Sequence, residues 1–237
     1  LANAAGIDAA GLGLLTSAYF VTFAAFQVPL GLLLDRYGPR RVESLLLIVA
    51  ALGAWLFSLA DDLTSMTVAR AVIGLGVSAC LMGAFKNIVM WWPKERLPLI
   101  NGLLLSFGGL GALVAAKPVV FLLEITDWRG VFQVLAVLTV ASAVYIWAAV
   151  PEPKDHPAKA TGRLKDQIAE LGAIYRSRIF WRLAPITILV QATQMAYHGL
   201  WAGPWLAEVE GYDRNAIAGA LQAMAIAMTA GYIVLGG

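Results

Sequence analysis

Along the chain, apolar residues gather into seven long blocks, near Gly11–Leu34, Glu43–Ala60, Leu63–Met90, Pro98–Val120, Gly130–Val150, Trp181–Trp205 and Asn215–Gly237. Most are roughly 18 to 25 residues long, the length at which an α-helix crosses about 30 Å of hydrocarbon. In hydrocarbon every backbone N–H and C=O must find its partner within the segment, so blocks rich in Leu, Ala and Gly predict helices. The two-residue alternation of a half-buried strand is absent. The expected fold class is all-α, a polytopic bundle of transmembrane helices.

The longest polar interruption runs from Pro151 to Arg182. Pro151-Glu-Pro-Lys-Asp-His-Pro157 opens a solvated connection, after which Leu164, Ile168, Leu171 and Ile174 recur at helical spacing. This divides the chain into residues 1–150, a linker with a surface helix at 151–180, and a second membrane region at 181–237. Residue 1 is Leu, and the last block ends at Gly236 and Gly237 without a polar flank, so both ends read as cut.

Composition agrees with the pattern: 60% of residues are hydrophobic, only 14% are charged, and the mean hydropathy is +0.75, above what a water-soluble domain needs. The bilayer is thus the first expected partner. Cations set the orientation, because Lys and Arg near span ends are retained on the cytoplasmic side. Arg36, Arg40, Arg41, Lys94, Arg96, Lys154, Lys159, Arg163, Lys165, Arg176, Arg178 and Arg182 fall in one alternating set of loops, and only Arg129 and Arg214 in the other. The net charge of +2 is therefore a topology signal spread over short loops, and no nucleic-acid partner is expected.

Catalytic chemistry finds little foothold. Cys80 is the sole cysteine and lies inside a block, and His156 and His198 fall in different segments. No metal-ligand spacing, phosphate-cradling loop or nucleophile elbow appears, so neither metal nor cofactor is expected.

The strongest local motif is Gly31-Leu-Leu-Leu-Asp35-Arg36-Tyr-Gly38-Pro-Arg40-Arg41. It resembles the signature of the major facilitator superfamily, a loop of glycine, aspartate and basic residues between spans two and three, and every specified position matches. The charge-derived orientation places it on the cytoplasmic side, where that family carries it. The resemblance implies twelve spans in two six-helix halves around a central solute path, with this chain covering roughly spans two to eight. It also implies that Gly31, Asp35, Arg36, Gly38, Arg40 and Arg41 form a conformational latch of alternating access. Physically, Gly31 suits close helix approach, Gly38 a tight turn, and the arginines anionic headgroups.

Arg70-Ala-Val-Ile73-Gly74-Leu-Gly76 is similar to the family's span-four pattern, with Ile73 where a glutamine is frequent. Leu105-Ser106-Phe-Gly108-Gly109-Leu-Gly111 has the glycines of a span-five motif but no proline among them, so the pattern of drug-for-proton exchangers is not reproduced. Trp128-Arg129-Gly130 looks like a common start of span six, with a structural role. Gly102, Ser106, Gly108 and Ala112 are the expected helix-contact face of that fourth block.

Candidate solute contacts follow from polar side chains inside the blocks. Thr187, Gln191, Gln194, His198, Trp201 and Trp205 fall within about 80° of arc on an ideal helix, and a polar stripe in a lipid-embedded helix needs something other than lipid to face. Cavity lining by Gln191, Gln194, His198 and Trp201 competes with helix-to-helix hydrogen bonding and an outer aromatic belt. His198 suits a coupling proton as well as a structural hydrogen bond. Thr16, Phe20, Phe23 and Gln27 share a face of the first block.

Arg70 and Lys86 stand 16 residues apart, about 24 Å along one helix. No Asp or Glu is expected inside the spans, and an unpaired cation at mid-bilayer costs at least about 2.5 kcal/mol. A small organic anion drawn to Arg70 or Lys86 supplies one compensation; carboxylates elsewhere, or snorkelling of Lys86 and Lys117, supply another.

The function expected is a secondary carrier moving a small solute by alternating access, with an organic anion as one candidate solute and protons as candidate coupling ions, in a bacterial inner (plasma) membrane. A transport-inactive receptor or scaffold on the same fold is the alternative, and an integral membrane enzyme the more distant one.

Overall fold

The computed structural model describes residues 7–151, 172–197 and 201–236, and all regular structure among them is helical. In chain order the helices are α1 (Ala9–Tyr37), α2 (Pro39–Leu59), α3 (Leu63–Val77), α4 (Ala79–Trp91), α5 (Leu97–Ile125), α6 (Trp128–Ala149), α7 (Arg178–Ala196), α8 (Ala202–Glu208) and α9 (Arg214–Gly236). Four stretches are long and apolar enough to cross a membrane, Ala10–Tyr37, Pro39–Leu59, Leu63–Trp91 and Trp128–Ala149. The chain is an integral membrane protein built as a helical bundle. It divides into two compact units, Leu1–Leu97 with Ala115–Ala160, and Pro98–Val114 with Thr161–Gly237.

In the first unit, short polar side chains set the helix starts. Asp8 Oδ1 accepts from the Gly11 amide at 2.8 Å, and Asp127 Oδ1 accepts from the Gly130 amide at 2.9 Å. Asp62 and Ser65 form a reciprocal capping box at the start of α3. Between α1 and α2 the chain turns at Gly38, whose φ of 79° lies where a side chain is strained. Pro39 follows as the first residue of α2, where its missing N–H costs nothing.

That early start corrects the expected boundary at Glu43 and the expectation that spans hold no acid inside. Glu43 sits in the second turn of α2 and is 9% exposed. A Cβ added at Gly83 of α4 would stand 2.8 Å from its Oε2.

α2 is the strut of this unit. One face meets α3 and α4, the other α6. At Gly53 a Cβ would come 2.8 Å from the Ile73 amide nitrogen; at Gly76 it would collide with the Ala50 backbone, and at Gly74 with the Tyr19 carbonyl of α1. Three glycines thus bring helix backbones into direct contact, which is how membrane helices gain van der Waals energy without a hydrophobic drive between them. Thr22 Oγ1 donates to the Ala71 carbonyl at 2.9 Å across the α1–α3 seam. Phe57, 0% exposed, anchors a cluster with Leu15, Met66, Trp128 and Phe132. A second cluster joins Leu30, Leu34, Val42, Leu46 and Ala79.

The block Leu63–Met90, expected as one helix, is two. At Ser78 the regular ladder is interrupted: the Ser78 amide donates only to the Leu75 carbonyl, three residues back, at 3.3 Å, and Ser78 Oγ donates to the same carbonyl at 2.7 Å. Gly74 and Gly76 weaken helix propensity just before it, and a serine that bonds back to the preceding turn bends a helix.

In the second unit, α5 and α9 meet through a polar, close contact. Ser106 Oγ donates to the Gly102 carbonyl at 2.8 Å and the Thr229 carbonyl at 3.1 Å, and both Ser106 and Thr229 are buried. A Cβ at Gly109 would stand 2.5 Å from Thr229 Oγ1, whereas one at Gly108 would meet nothing within 4 Å. Ser106 makes the contact as expected, and the glycine at it is Gly109 in place of the expected Gly108.

Residues 172–176 are helical, and Trp181 Nε1 donates to the Tyr175 carbonyl at 2.8 Å; Leu164, Ile168 and Leu171 of the expected surface helix lie outside the described residues. The expected continuous span Trp181–Trp205 is also subdivided. α7 ends at Ala196, Tyr197 and Trp201 take π-helical geometry, and α8 begins at Ala202. Pro204 has no N–H to return to the fourth residue before it, so an unbroken α-helical ladder through this stretch is not available.

Candidate functional site

The arginine-rich ends of α1 and α2 carry the loop motif. Asp35, in the last turn of α1, accepts from the ammonium of Lys86 on α4. Lys86, expected as an attractor of anions, is thus held by the carboxylate of the motif itself. Arg36 lies over the ring of Tyr37, 5.6 Å from its centroid. Arg40 lies over Trp147 of α6 at 5.3 Å. Arg41 is exposed on α2. At Gly31 a Cβ would meet nothing within 4 Å, so the close helix approach expected there is not made among the described residues.

Arg70 projects from α3 into the aromatic cluster. Its guanidinium carbon is 4.8 Å from the Phe57 centroid and 5.4 Å from that of Phe132, and Nε is buried without a hydrogen-bond partner among the described residues. Each ring face contributes up to about 2 kcal/mol to a desolvated cation. Two rings therefore offset an amount comparable to the lower bound of about 2.5 kcal/mol for inserting the cation.

Arg70 and Lys86 accordingly engage different partners, Arg70 the rings of Phe57 and Phe132, Lys86 the motif. The opposite, cation-poor end of this unit has its own clamp. Arg129 donates to the Ala60 carbonyl at 3.0 Å and to Asp61 at 2.7 Å, and stacks on Trp128 at 4.3 Å, joining the start of α6 to the end of α2.

Gln27 of α1 reaches the interruption between α3 and α4. Its Nε2 donates to the Phe23 carbonyl at 3.4 Å and to the Ser78 carbonyl at 3.5 Å. The amide thus ties α1 to the backbone at the joint. On the same face, Thr16 Oγ1 donates to the Leu12 carbonyl at 2.9 Å, Phe20 is exposed, and Phe23 stacks on Tyr19 at 6.3 Å.

In the second unit, Thr187 and Gln191 are exposed on α7 and Gln194 is half-buried. Trp201 and Trp205 are exposed. His198 lies outside the described residues, and Lys117 is on α5 with its side chain likewise outside them. Residues that sequence reasoning missed are the aromatic partners Phe57, Phe132 and Trp147, the acid Glu43, and the Gly109–Thr229 contact. Aromatic residues 57 and 132 were visible as apolar; nothing in their spacing linked them to Arg70.

Among the described residues no group of His, Cys, Asp and Glu is arranged to hold a metal ion. The sites assembled here are cationic, amide-bearing and aromatic, suited to binding and to movement between helices.

Comparison with known proteins agrees. The chain is 24% identical over 225 residues to a probable sulfoacetate transporter of Cupriavidus necator, covering 90% of this chain and 52% of that protein. It is 27% identical over 201 residues to a thioclapurine efflux transporter of Claviceps purpurea, covering 84% of this chain and 35% of the relative. Over 111 residues it is 29% identical to a nitrate/nitrite transporter of Picosynechococcus, 47% of this chain and 21% of that protein. The chain spans about half the length, or less, of these curated relatives. The family model described as Major Facilitator Superfamily matches residues 1–237. A helical membrane bundle carrying the glycine, aspartate and arginine loop, matched over its whole length by that family, belongs to the Major Facilitator Superfamily of transporters.

Proposed function

We propose that the protein to which this chain belongs is a secondary carrier that moves a small anion across a bacterial inner membrane by alternating access. The observation that carries this reading is Arg70: a permanent cation inside a membrane span, compensated by two aromatic faces and by no carboxylate hydrogen bond among the described residues. Aromatic rings offset the cost of burying the charge without neutralising it, so the positive potential stays available to a negative solute. Two of the relatives are named for sulfoacetate and for nitrate and nitrite, which are anions.

Asp35 and Lys86, with the surrounding arginines, form the latch at the arginine-rich end in this reading, and a carrier cycle requires that pair to part and re-form. Protons are the proposed coupling ion, with His198 as the candidate carrier of that charge. A second reading, export of a larger organic molecule, rests on the relative named for thioclapurine efflux.

The test is counterflow in proteoliposomes with the full-length protein. Labelled sulfoacetate and nitrate are expected to accumulate against unlabelled anion but not against a neutral sugar, and Arg70→Gln is expected to abolish the accumulation. Unchanged anion counterflow in Arg70→Gln rejects the assignment.

A further inference from the structure

A carboxyl group in the seam between α2 and α4 has no partner. Glu43 is 9% exposed, and its carboxylate makes no hydrogen bond or ion pair among the described residues. It faces α4 at Gly83, where an added Cβ would stand 2.8 Å from Oε2 and 3.3 Å from the carboxyl carbon. Glycine is what admits the carboxyl group to this seam. Cys80, one turn before Gly83, lies within electrostatic reach of it. Lys86, one turn after Gly83, is held by Asp35 of α1.

The two acids near Lys86 differ in what water does for them. The Asp35 side chain is 53% exposed, so its charge stays solvated with or without Lys86. Glu43 is covered, and a buried carboxyl group without a partner cannot stay ionised cheaply. Lys86 carries its ammonium on a flexible four-carbon stem, and helix side chains tilt toward the N-terminus, which brings that stem to the level of Gly83 and Glu43. Other charged or titratable groups at this end are engaged elsewhere or turned to the outside. Arg40, three residues before Glu43, lies over Trp147 of α6, Arg41 is exposed, and Tyr145 of α6 is 70% exposed.

We infer that, within the carrier reading proposed above and resting on it, Glu43 is a proton-binding residue and the second acceptor for Lys86. While Lys86 is held by Asp35, as in this structure, Glu43 is neutral and one of its carboxyl oxygens bears the proton. When the latch pair parts, Lys86 moves to Glu43, the O–H bond breaks, and the proton leaves to water at the arginine-rich end. Asp35 remains behind as a solvated anion. One ion pair stands in the seam before and after, so neither state buries an unpaired charge, and each opening of the latch releases one proton.

Infrared spectroscopy of the full-length protein in lipid at neutral pH tests the proton directly, through the C=O stretch of a protonated carboxyl group. The wild type is expected to show a band that the isosteric change Glu43→Gln removes. Should Glu43→Gln fail to fold, Glu43→Asp is expected to identify the band by shifting it. Asp35→Asn is expected to abolish the band, because Lys86 then settles on Glu43 and ionises it. Lys86→Gln is expected to keep the band, and to restore it when combined with Asp35→Asn. A wild type without a Glu43-dependent band overturns the proton site, and a band that persists in Asp35→Asn overturns the exchange. In proteoliposomes, Glu43→Gln is expected to lose anion accumulation driven by a pH gradient; accumulation that survives overturns the role in coupling. A wild type that shows the band and its loss in Asp35→Asn, yet no counterflow, rejects the carrier reading and upholds the proton site.

Discussion

The Asp35 carboxylate on α1 accepts from the Lys86 ammonium on α4, a pairing across 51 residues of sequence that ties the loop motif to the last turns of the span after next. Because Lys86 is mostly covered and Asp35 half-exposed, solvent screens the pair, and its coupling in a double-mutant cycle is expected at about 0.5–1 kcal/mol. Asp35→Asn and Lys86→Gln are each expected to slow counterflow, and the exchange Asp35→Lys with Lys86→Asp to recover part of it. Additive losses with no recovery count against a latch.

Glycines divide by what they touch. Gly76→Val is expected to cost about 1–3 kcal/mol through overpacking against the Ala50 backbone, read as a lower melting temperature in detergent. Gly31→Ala, with open space around it, is expected to change stability by less than about 0.5 kcal/mol; any loss of transport in that variant then reports on function and not on folding.

The aromatic cradle of Arg70 gives a separate prediction. Phe132→Leu keeps the apolar contact but removes one ring face, and is expected to lower stability by roughly 0.5–2 kcal/mol. Arg70→Met is expected to leave the fold intact, since it removes the charge whose burial the rings offset, while ending anion counterflow.

At the other end of the unit, Arg129 makes three contacts and Asp61 one. Arg129→Gln is therefore expected to lower the melting temperature more than Asp61→Asn. For the exposed ion pair alone the effect is expected below about 1 kcal/mol.

Gly108 and Gly109 make a rotational test of the α5–α9 contact. Gly109→Leu is expected to displace α9 at Thr229 and reduce stability by about 1–3 kcal/mol, whereas Gly108→Leu faces open space and is expected to be tolerated. The reverse order places the contact on the face first read from the sequence.

Much of the architecture was legible because lipid imposes length and polarity on each span. The blocks beginning at Gly11 and Gly130 correspond to α1 and α6 within a few residues. Boundaries failed where one residue carried two messages: Glu43 reads as a polar end, yet Pro39 had already opened the helix and Gly83 left space for the carboxylate. Hydropathy is also blind to backbone irregularities, so the turn at Ser78 and the π-helical geometry at Tyr197 and Trp201 passed as continuous apolar sequence. At the site, the motif was visible as a local string, but its partner Lys86 was not, since pairing at that separation depends on how α1 and α4 pack. The rings around Arg70 come from two other helices and were hidden for the same reason.

The interruption at Ser78 makes the span Leu63–Trp91 two rods with a joint. Bending an unbroken helix strains its ladder; at Ser78 the regular bond is already replaced by one to the third residue back, and Gln27 of α1 reaches the carbonyl there. On one side of the joint Lys86 is held by Asp35, and on the other Arg70 is held by the rings of Phe57 and Phe132. The two cations of this single span are thus seated independently, one on rings and one on a carboxylate.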